Sequence, residues 1–228
     1  YSGDYKNFNN SSLEVQVADK DFFDGQCEDI LYNIAKVLKK PLDGLRILDV
    51  GCGWAQALLY FKGKGMDCYG FDPAPEAIEY GQRKGLKVKH AGIDRMDVFG
   101  SIKFDVVMLK NVLEHMPNPF EVLKEIHEKV LKKGGLLIID VPNEFNVFQT
   151  TGRDVHGLND WWVAPPGHLN YFSNDSLVKL VNGAGYEVIL SEASFPLEMF
   201  LLFNDCYVGN EKVGKEIHKK RVNFEMNL

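Results

Sequence analysis

The chain has 228 residues, of which 45% are hydrophobic and 25% charged, and its formal net charge is −6. Its length suits one globular domain with or without a small cap, and its acidic balance disfavours tight binding to nucleic acid, which requires a basic surface. No apolar run approaches the roughly 18 residues of a membrane span, and the first residues lack the basic and apolar regions of a signal peptide. The scattered cysteines form no CxxC pair and are typical of a reduced, cytoplasmic protein.

Helix and strand patterns alternate along most of the chain. Apolar residues recur at helical spacing from Cys27 to Leu38, and Pro41 ends that helix. The pattern then predicts strand 46–50, helix 55–61, strand 67–71, helix 75–84, strands 86–90 and 104–109, a helix between Asn118 and Gly134, and strand 136–141. Strands without polar alternation, separated by helices, indicate a parallel sheet that helices cover on both faces.

Residues 143–173 break this alternation and are rich in aromatic side chains. Loops of this length in a compact domain are usually functional, so we predict a substrate loop here. Ser173 is expected to cap a helix, and strands 186–191 and 197–203 to complete a sheet of seven strands. The predicted organisation is a lid and helix (1–41), a cofactor-binding α/β core (42–142), the aromatic loop (143–173) and a C-terminal completion of the sheet (174–228).

A glycine turn follows the first predicted strand and contains Gly51, Cys52 and Gly53. Asp72 ends the second strand about 20 residues beyond the first glycine, where an acidic side chain can bind the two hydroxyls of a ribose. The turn lets a ligand approach the backbone closely. The pattern therefore predicts a ligand that contains a nucleoside.

Two residues argue against a dinucleotide. Gln56 stands where the dinucleotide fingerprint has its third glycine. Asp49 lies beside the turn, where its charge would repel a pyrophosphate and attract a cation. S-adenosylmethionine (SAM) carries a ribose, a sulfonium and an ammonium, and no phosphate, so it fits these residues better.

The segment Asp49–Ala55, followed by Asp72, resembles the cofactor signature of class I SAM-dependent methyltransferases, although the family often has glycine where this chain has Ala55. The resemblance implies a doubly wound, Rossmann-like α/β fold with a mainly parallel seven-stranded sheet and an antiparallel last strand. It implies SAM as cofactor and S-adenosylhomocysteine (SAH) as product. The further cofactor-binding residues that it implies are Pro73, Ile93, Asp94, Lys110, Asn111 and, in the lid, Tyr5.

Two histidines are candidate catalytic bases. His168 lies in an H-x-x-x-F-S segment similar to one found in some small-molecule methyltransferases, and an imidazole suits general-base work near neutral pH. His115 lies in an LEH segment after the fourth strand, and either histidine can instead serve only to pack its loop. No metal is expected. The predicted substrate-binding residues are Asn143, Trp161, Trp162 and Tyr171.

The expected reaction is methyl transfer from SAM to a small polar acceptor, a sugar-like or cyclic metabolite. Oxygen is favoured as the acceptor atom over nitrogen or carbon. The alternatives are a SAM-binding protein without catalysis and an NAD-dependent oxidoreductase on a similar fold, because fold alone does not fix function. The expected partner is a small-molecule substrate, and binding to nucleic acid or to a membrane is not expected. A homodimer is possible from the sequence.

Overall fold

The computed structural model describes residues 19–227, so Tyr5, predicted to belong to a lid, lies outside the described residues. The chain divides into two compact units, the first reaching Val141 and the second starting at Pro142. None of the helices within residues 19–227 combines the length and apolarity that crossing a membrane requires.

The first unit is a parallel α/β sheet, as predicted. Its five strands follow the order β3-β2-β1-β4-β5, and every pairing is parallel. Because β4 returns to the far side of β1, the strand order reverses between β1 and β4, where sheets of this kind bind their ligands. The elements are α1 (Lys20–Leu38), β1 (Arg46–Val50), α2 (Gln56–Gly63), β2 (Asp67–Asp72), α3 (Pro75–Arg83), β3 (Lys87–His90), β4 (Phe104–Lys110), α4 (Pro119–Glu125) and β5 (Leu131–Asp140).

Both faces of this sheet are buried. On one face, Ile47 and Val106 belong to a core cluster with Leu31 of α1 and Phe61 of α2. On the other face, the alternate strand residue Leu48 is 1% exposed. Burial of one such side chain contributes about 1.5–3 kcal/mol, so covering both faces explains why the strands show no polar alternation.

Gly70 in β2 allows α2 and the glycine turn to approach the sheet closely. A Cβ at this position would lie 2.7 Å from Leu58 Cδ1 and 2.9 Å from Cys52 Sγ. In the dinucleotide fingerprint, the third glycine lies in the helix and allows the helix to pack closely against the strand. Here the strand supplies the space instead, so Gln56 is compatible with a tight βαβ unit.

We expect Gly70→Ala to lower the free energy of unfolding by about 1–3 kcal/mol, because the added methyl overpacks the core. Gly63→Ala, at the end of α2, is the matched control, because no heavy atom lies within 4 Å of a Cβ there and its φ is not positive. That control is expected to be neutral or stabilising by up to about 1 kcal/mol. Urea denaturation of both variants measures the difference, and equal stabilities would contradict the packing role of Gly70.

The second unit differs from the prediction in its aromatic segment. Residues predicted as one loop contain a helix, α5 (Val147–His156). The Asn146 side chain caps it by accepting hydrogen bonds from the backbone N–H groups of Phe148 and Gln149. Asparagine is a strong N-cap, and this signal was overlooked because the aromatic content of the segment dominated the interpretation. The predicted cap at Ser173 is confirmed at the start of α6 (Asn174–Gly183).

The prediction of two final strands is wrong for this structure. Residues 186–191 pair with no strand within the described chain, and residues predicted as the last strand form helix α7 (Glu198–Leu202). A short continuous apolar run such as 199–203 fits a buried strand and a buried helix equally well. The described part of the chain therefore has a five-stranded sheet, without the antiparallel strand, and ends in helix α8 (Glu211–Glu225).

Candidate functional site

The turn after β1 uses its own backbone donors to hold the end of β2. The N–H groups of Gly51 and Cys52 both donate to Phe71 O, at 2.9 and 3.1 Å. The N–H of Gly53 donates to Asp72 Oδ2 at 2.8 Å. Three successive amides of the turn are thus engaged within the chain, whereas phosphate-binding loops present theirs to the ligand. This geometry argues against a pyrophosphate at the turn.

The turn has a left-handed backbone at several positions. The φ angles are 70° at Gly51, 48° at Gly53 and 56° at Ala55. A Cβ at Gly51 would lie 2.6 Å from Val112 Cγ2, whereas a Cβ at Gly53 would meet nothing within 4 Å. Gly51 is therefore required by both conformation and space, and the open space at Gly53 leaves room for a ligand to approach the backbone.

Asp72 is buried and fixed from two sides. Its Oδ2 accepts from Gly53, and its Oδ1 accepts from the N–H of Ala74 at 2.8 Å. Burial raises the pKa of Asp72, while the hydrogen bonds from Ala74 and Gly53 act in the opposite direction. Each carboxylate oxygen has a second lone pair, so two acceptor positions remain for a pair of hydroxyls such as those of a ribose.

Asp49 is a buried carboxylate at the switch point between β1 and β4. It is 5% exposed, and burial, together with the charge of Asp72, raises its pKa to about 8, against the opposing charge of Lys110. A cation bound beside Asp49 would favour the ionised form of this carboxyl, so the position suits a cationic ligand. Burial also raises the pKa of the Cys52 thiol well above its ordinary value, which argues against a role for Cys52 as a nucleophile.

Lys110 ends β4 and places a positive charge near Asp49. Its Nζ lies 3.2 Å from Asp140 Oδ2 and 3.2 Å from Gln26 Oε1 of α1. Asn111 has a left-handed φ of 53°, and its N–H donates to Asp140 O at 2.8 Å. The ends of β4 and β5 and helix α1 are thereby connected. Neither Asp140 nor Gln26 was predicted from the sequence as a site residue, although Asp140 lies near the end of the predicted strand 136–141 at the same edge.

The remaining predicted cofactor residues follow β2 and β3, which are neighbouring strands. Pro73 is exposed, and its carbonyl oxygen lies 2.9 Å from His90 Nε2. Ile93 and Asp94 form a turn after β3, closed by a hydrogen bond from Arg95 N–H to Gly92 O at 3.0 Å. This arrangement puts all of these residues at the carboxyl end of the sheet, on the β2 side of the glycine turn.

In the second unit, His168 pairs with a buried carboxylate. Its Nδ1 lies 3.1 Å from Oε1 of Glu144, whose side chain is 2% exposed, against 22% for His168. Burial raises the pKa of Glu144 and the histidine opposes this effect. The neighbouring Asn143 was predicted from the sequence as a substrate-binding residue, whereas Glu144 was not predicted as a site residue. The rule that functional groups follow strand ends would have found it, because Glu144 comes four residues after β5.

The predicted aromatic residues pack together, and the ring of Tyr171 lies 6.1 Å from that of His168. Phe145 makes edge-to-face contacts with Trp162 and Tyr171, at centroid distances of 5.5 and 6.0 Å, and Trp161 contacts Trp162 at 4.7 Å. Asn143, which is exposed, forms a β-bridge with Phe172. The Nε1 of Trp162 is buried without a hydrogen-bond partner within the described residues. Within this cluster Trp162 is buried, whereas Phe145 is 51% exposed and presents an apolar ring to solvent.

His115 lies in the first unit, in a 3₁₀ turn from Leu113 to His115 that follows β4. Its Nε2 is 3.6 Å from Oε1 of the buried Glu114, which is longer than a hydrogen bond. The catalytic role of His115 stays a prediction.

These features define the class of protein. The first unit is a parallel sheet with a glycine turn at its switch point. It has two buried carboxylates there, and the amides of residues 51–53 are all engaged within the chain. This combination fits a cationic nucleoside without phosphate, which is the kind of ligand that class I SAM-dependent methyltransferases bind. Comparison with known proteins gives the family. Residues 24–191 match the model of the family described as Methyltransferase domain, and the chain belongs to that family.

Two relatives agree with this assignment, and a solved structure shares the fold. The chain is 28% identical over 166 residues to the ubiquinone biosynthesis O-methyltransferase of Ruegeria pomeroyi, and 32% over 163 residues to that of Cereibacter sphaeroides. These matches cover 66% and 65% of the chain, which spans 63% of the length of either relative. Magnesium protoporphyrin IX methyltransferase from Synechocystis PCC 6803, with bound SAH, shares the fold at a TM-score of 0.58 and 15% identity, over 80% of this chain and 81% of that one.

Proposed function

We propose that this protein transfers the methyl group of SAM to an oxygen of a small polar acceptor. The observation that carries the proposal is the combination of engaged turn amides with the buried carboxylates of Asp49 and Asp72. A pyrophosphate needs free donors and no adjacent negative charge, so this geometry disfavours NAD. A cation that carries two ribose hydroxyls matches both carboxylates.

The acceptor atom is proposed from the relatives. Their names describe O-methyltransferases of ubiquinone biosynthesis, which supports oxygen over nitrogen or carbon. They lend no support to a sugar as acceptor. The aromatic cluster around Trp162 and Tyr171 suits a flat ring, so we propose a hydroxylated cyclic compound.

Five of the predicted residues have a specific proposed role. Asp72 receives the ribose hydroxyls, Asp49 faces the positive charge, and Ile93 and Asp94 contact the adenine side. SAM, when bound, supplies a methyl group that its positive sulfur makes reactive. The residues of the chain then orient the acceptor, which lowers the barrier by about 7–11 kcal/mol, and His168 removes the hydroxyl proton, worth about 10²–10⁴-fold in rate.

Titration calorimetry with SAM, SAH and NAD tests the cofactor. We expect micromolar binding of SAM and SAH and none of NAD. Asp72→Asn is expected to weaken SAM binding about 10- to 100-fold, because hydrogen bonds to a charged group contribute about 1.5–3 kcal/mol each. Asp67→Asn, at the opposite end of β2, is the matched control and is expected to leave the affinity unchanged.

Incubation with radiolabelled SAM and a panel of catechols, simple phenols and sugars tests the acceptor. Label recovered as methyl ether on a phenol or catechol supports the proposal. Label on sugars alone would contradict the cyclic, aromatic acceptor. Binding of NAD without SAM would overturn the methyltransferase function itself.

A further inference from the structure

We infer that Lys110 and Gln26 form the subsite for the carboxylate of the methionine part of SAM, next to Asp49, which faces the positive charge. The inference rests on the proposed function and deepens it, because it assigns a ligand group to each of the two side chains. The sequence resemblance implied Lys110 as a cofactor residue without the group that it binds, and it implied nothing for Gln26. All the residues concerned belong to the first unit.

Asp49, Lys110 and Asp140 lie on one face of the sheet, near its carboxyl edge. Lys110 pairs with Asp140 across β4 and β5, and Asp49 pairs with Met108, two residues before Lys110. Side chains of paired residues, and of residues two apart in a strand, point to the same face. Because neighbouring strands lie about 5 Å apart, the ends of β1, β4 and β5 present an acidic, a basic and an acidic group in a row.

Helix α1 covers this face and brings Gln26 to Lys110. Met108 packs in one core cluster with Cys27 of α1. The side chain of the preceding residue, Gln26, has its Oε1 3.2 Å from Lys110 Nζ. Burial raises the pKa of the Cys27 thiol and of the Asp49 carboxyl, and in both groups the charge of Lys110 opposes the rise. Lys110 is therefore close to α1 and to Asp49 at once.

Both side chains of the subsite have donors left for a ligand. The Lys110 ammonium has three N–H groups, and the described residues give it two acceptors, Gln26 Oε1 and Asp140 Oδ2, each at 3.2 Å. Because an ammonium only donates, the Gln26 atom beside it is the oxygen, and its NH₂ group donates to no acceptor within residues 19–227. The Lys110 side chain is 31% exposed, so a ligand can reach it.

The charge of Lys110 selects the kind of ligand. A ligand with positive charge alone would be attracted by Asp49 and repelled by Lys110. An α-amino acid group carries an ammonium and a carboxylate on one carbon, so it can satisfy both side chains at neighbouring strand ends. The ion pair of Lys110 with Asp140 is partly exposed, and such pairs contribute little to stability. Recognition of the methionine part of SAM accounts for the arrangement better than stability does.

Calorimetry of the full chain with SAM and with decarboxylated SAM tests the subsite. Decarboxylated SAM lacks only the carboxylate and keeps the ammonium and the sulfonium. We expect the wild type to bind it about 10- to 100-fold more weakly than SAM, which is the range that one hydrogen bond to a charged group contributes. Equal affinities of the wild type for the two ligands would overturn the inference, and this comparison requires no variant.

Two variants assign the effect to the side chains. Lys110→Met is expected to weaken SAM binding about 10- to 100-fold and to leave the affinity for decarboxylated SAM nearly unchanged, since that ligand has no carboxylate for Lys110 to bind. Gln26→Leu should weaken SAM binding about 10-fold, again with little effect on decarboxylated SAM. Lys103→Met, directly before β4 where Nζ donates to Glu128 O, is the matched control and should change neither affinity.

The ratio of the losses for the two ligands separates a direct contact from general damage, as in a double-mutant cycle. Equal losses in Lys110→Met would show that Lys110 acts only through the fold or through Asp49, and the inference would be wrong. If circular dichroism shows that Lys110→Met does not fold, the wild-type comparison and Gln26→Leu still decide. A wild type that binds neither ligand would remove the proposed function itself, whereas SAM binding with equal losses would remove the inference alone.

Discussion

Replacing Asp49 by asparagine is expected to weaken SAM binding by about 10²- to 10³-fold. Removal of one partner from a buried charge pair costs about 3–5 kcal/mol. Asp49 would be the partner removed, and the cationic ligand would lose its counter-charge. Because the pKa of Asp49 is about 8, the carboxyl is mostly protonated at neutral pH in the free protein. SAM affinity should therefore rise with pH up to about 8, and binding at pH 7 should release a proton.

The same substitution should stabilise the free protein at alkaline pH. The pKa of Asp49 is raised from 3.8 to about 8, so its contribution to stability is complete below pH 3.8 and is lost as the pH rises to about 8. The loss is on the order of 5 kcal/mol, because each unit of pKa difference corresponds to about 1.4 kcal/mol. Asparagine carries no charge, so the variant escapes this loss, and thermal unfolding at pH 5 and pH 9 measures it.

Asp105, at the amino end of β4, provides a control of opposite sign. Burial would raise its pKa, but hydrogen bonds from Lys132 and from the backbone N–H of Arg46 outweigh burial and hold the pKa below the usual value. Its contribution is present above pH 3.8 and is lost as the pH falls. Asp105→Asn should therefore destabilise the protein at neutral pH and leave SAM binding unchanged. A destabilising Asp49→Asn at pH 9, or SAM binding independent of pH, would contradict the role given to Asp49.

Gly51→Ala is expected to destabilise the protein by about 2–5 kcal/mol and to abolish SAM binding. A left-handed backbone costs a non-glycine residue about 1–2 kcal/mol, and φ at Gly51 is 70°. The new methyl would also lie 2.6 Å from Val112 Cγ2, and overpacking of this kind costs about 1–3 kcal/mol. Because the Gly51 amide holds the end of β2, any shift of the turn also displaces Asp72.

Gly44→Ala separates the cost of the left-handed backbone from the cost of overpacking. Gly44 has a φ of 74°, and a Cβ there would meet no heavy atom within 4 Å. This control carries the backbone cost alone, about 1–2 kcal/mol, and should retain SAM binding. Denaturant unfolding and calorimetry of both variants give the comparison. Equal losses of stability would show that Val112 moves aside without cost.

The sequence predicted the first unit well, because each of its elements carries more than one consistent signal. The strand that ends at Asp49-Val50 is apolar, short and followed by a glycine turn, and α3 has Pro75 at its start and Gly85 after its end. The second unit lacks such agreement. The run Met199–Phe203 has no period that distinguishes strand from helix, and Asn146 caps a helix inside a segment whose aromatic residues indicated a loop.

The residues of the candidate site also divide into those that local sequence patterns indicate and those that only the folded chain brings together. Asp49, the glycine turn and Asp72 could be predicted because their spacing along the chain follows from the geometry of a strand, a turn and a helix. Glu144 and Asp140 lie at or just after a strand end, but their partners could not be predicted, because pairing across the sheet or folding of the aromatic segment brings those partners close. His168 was found from its local segment alone, and only the structure shows the carboxylate beside it.

The two backbone amides that hold Asp72 have a consequence for recognition. A flexible surface carboxylate must lose rotational freedom each time it captures a ligand, and that entropy is subtracted from the affinity. Here two backbone hydrogen bonds fix the Asp72 carboxylate in the folded chain. Under the proposed function, a ribose would meet an acceptor whose direction is already set. Discrimination between a furanose with both hydroxyls and its deoxy analogue should accordingly be strict, since the fixed oxygens cannot rotate to compensate for a missing partner.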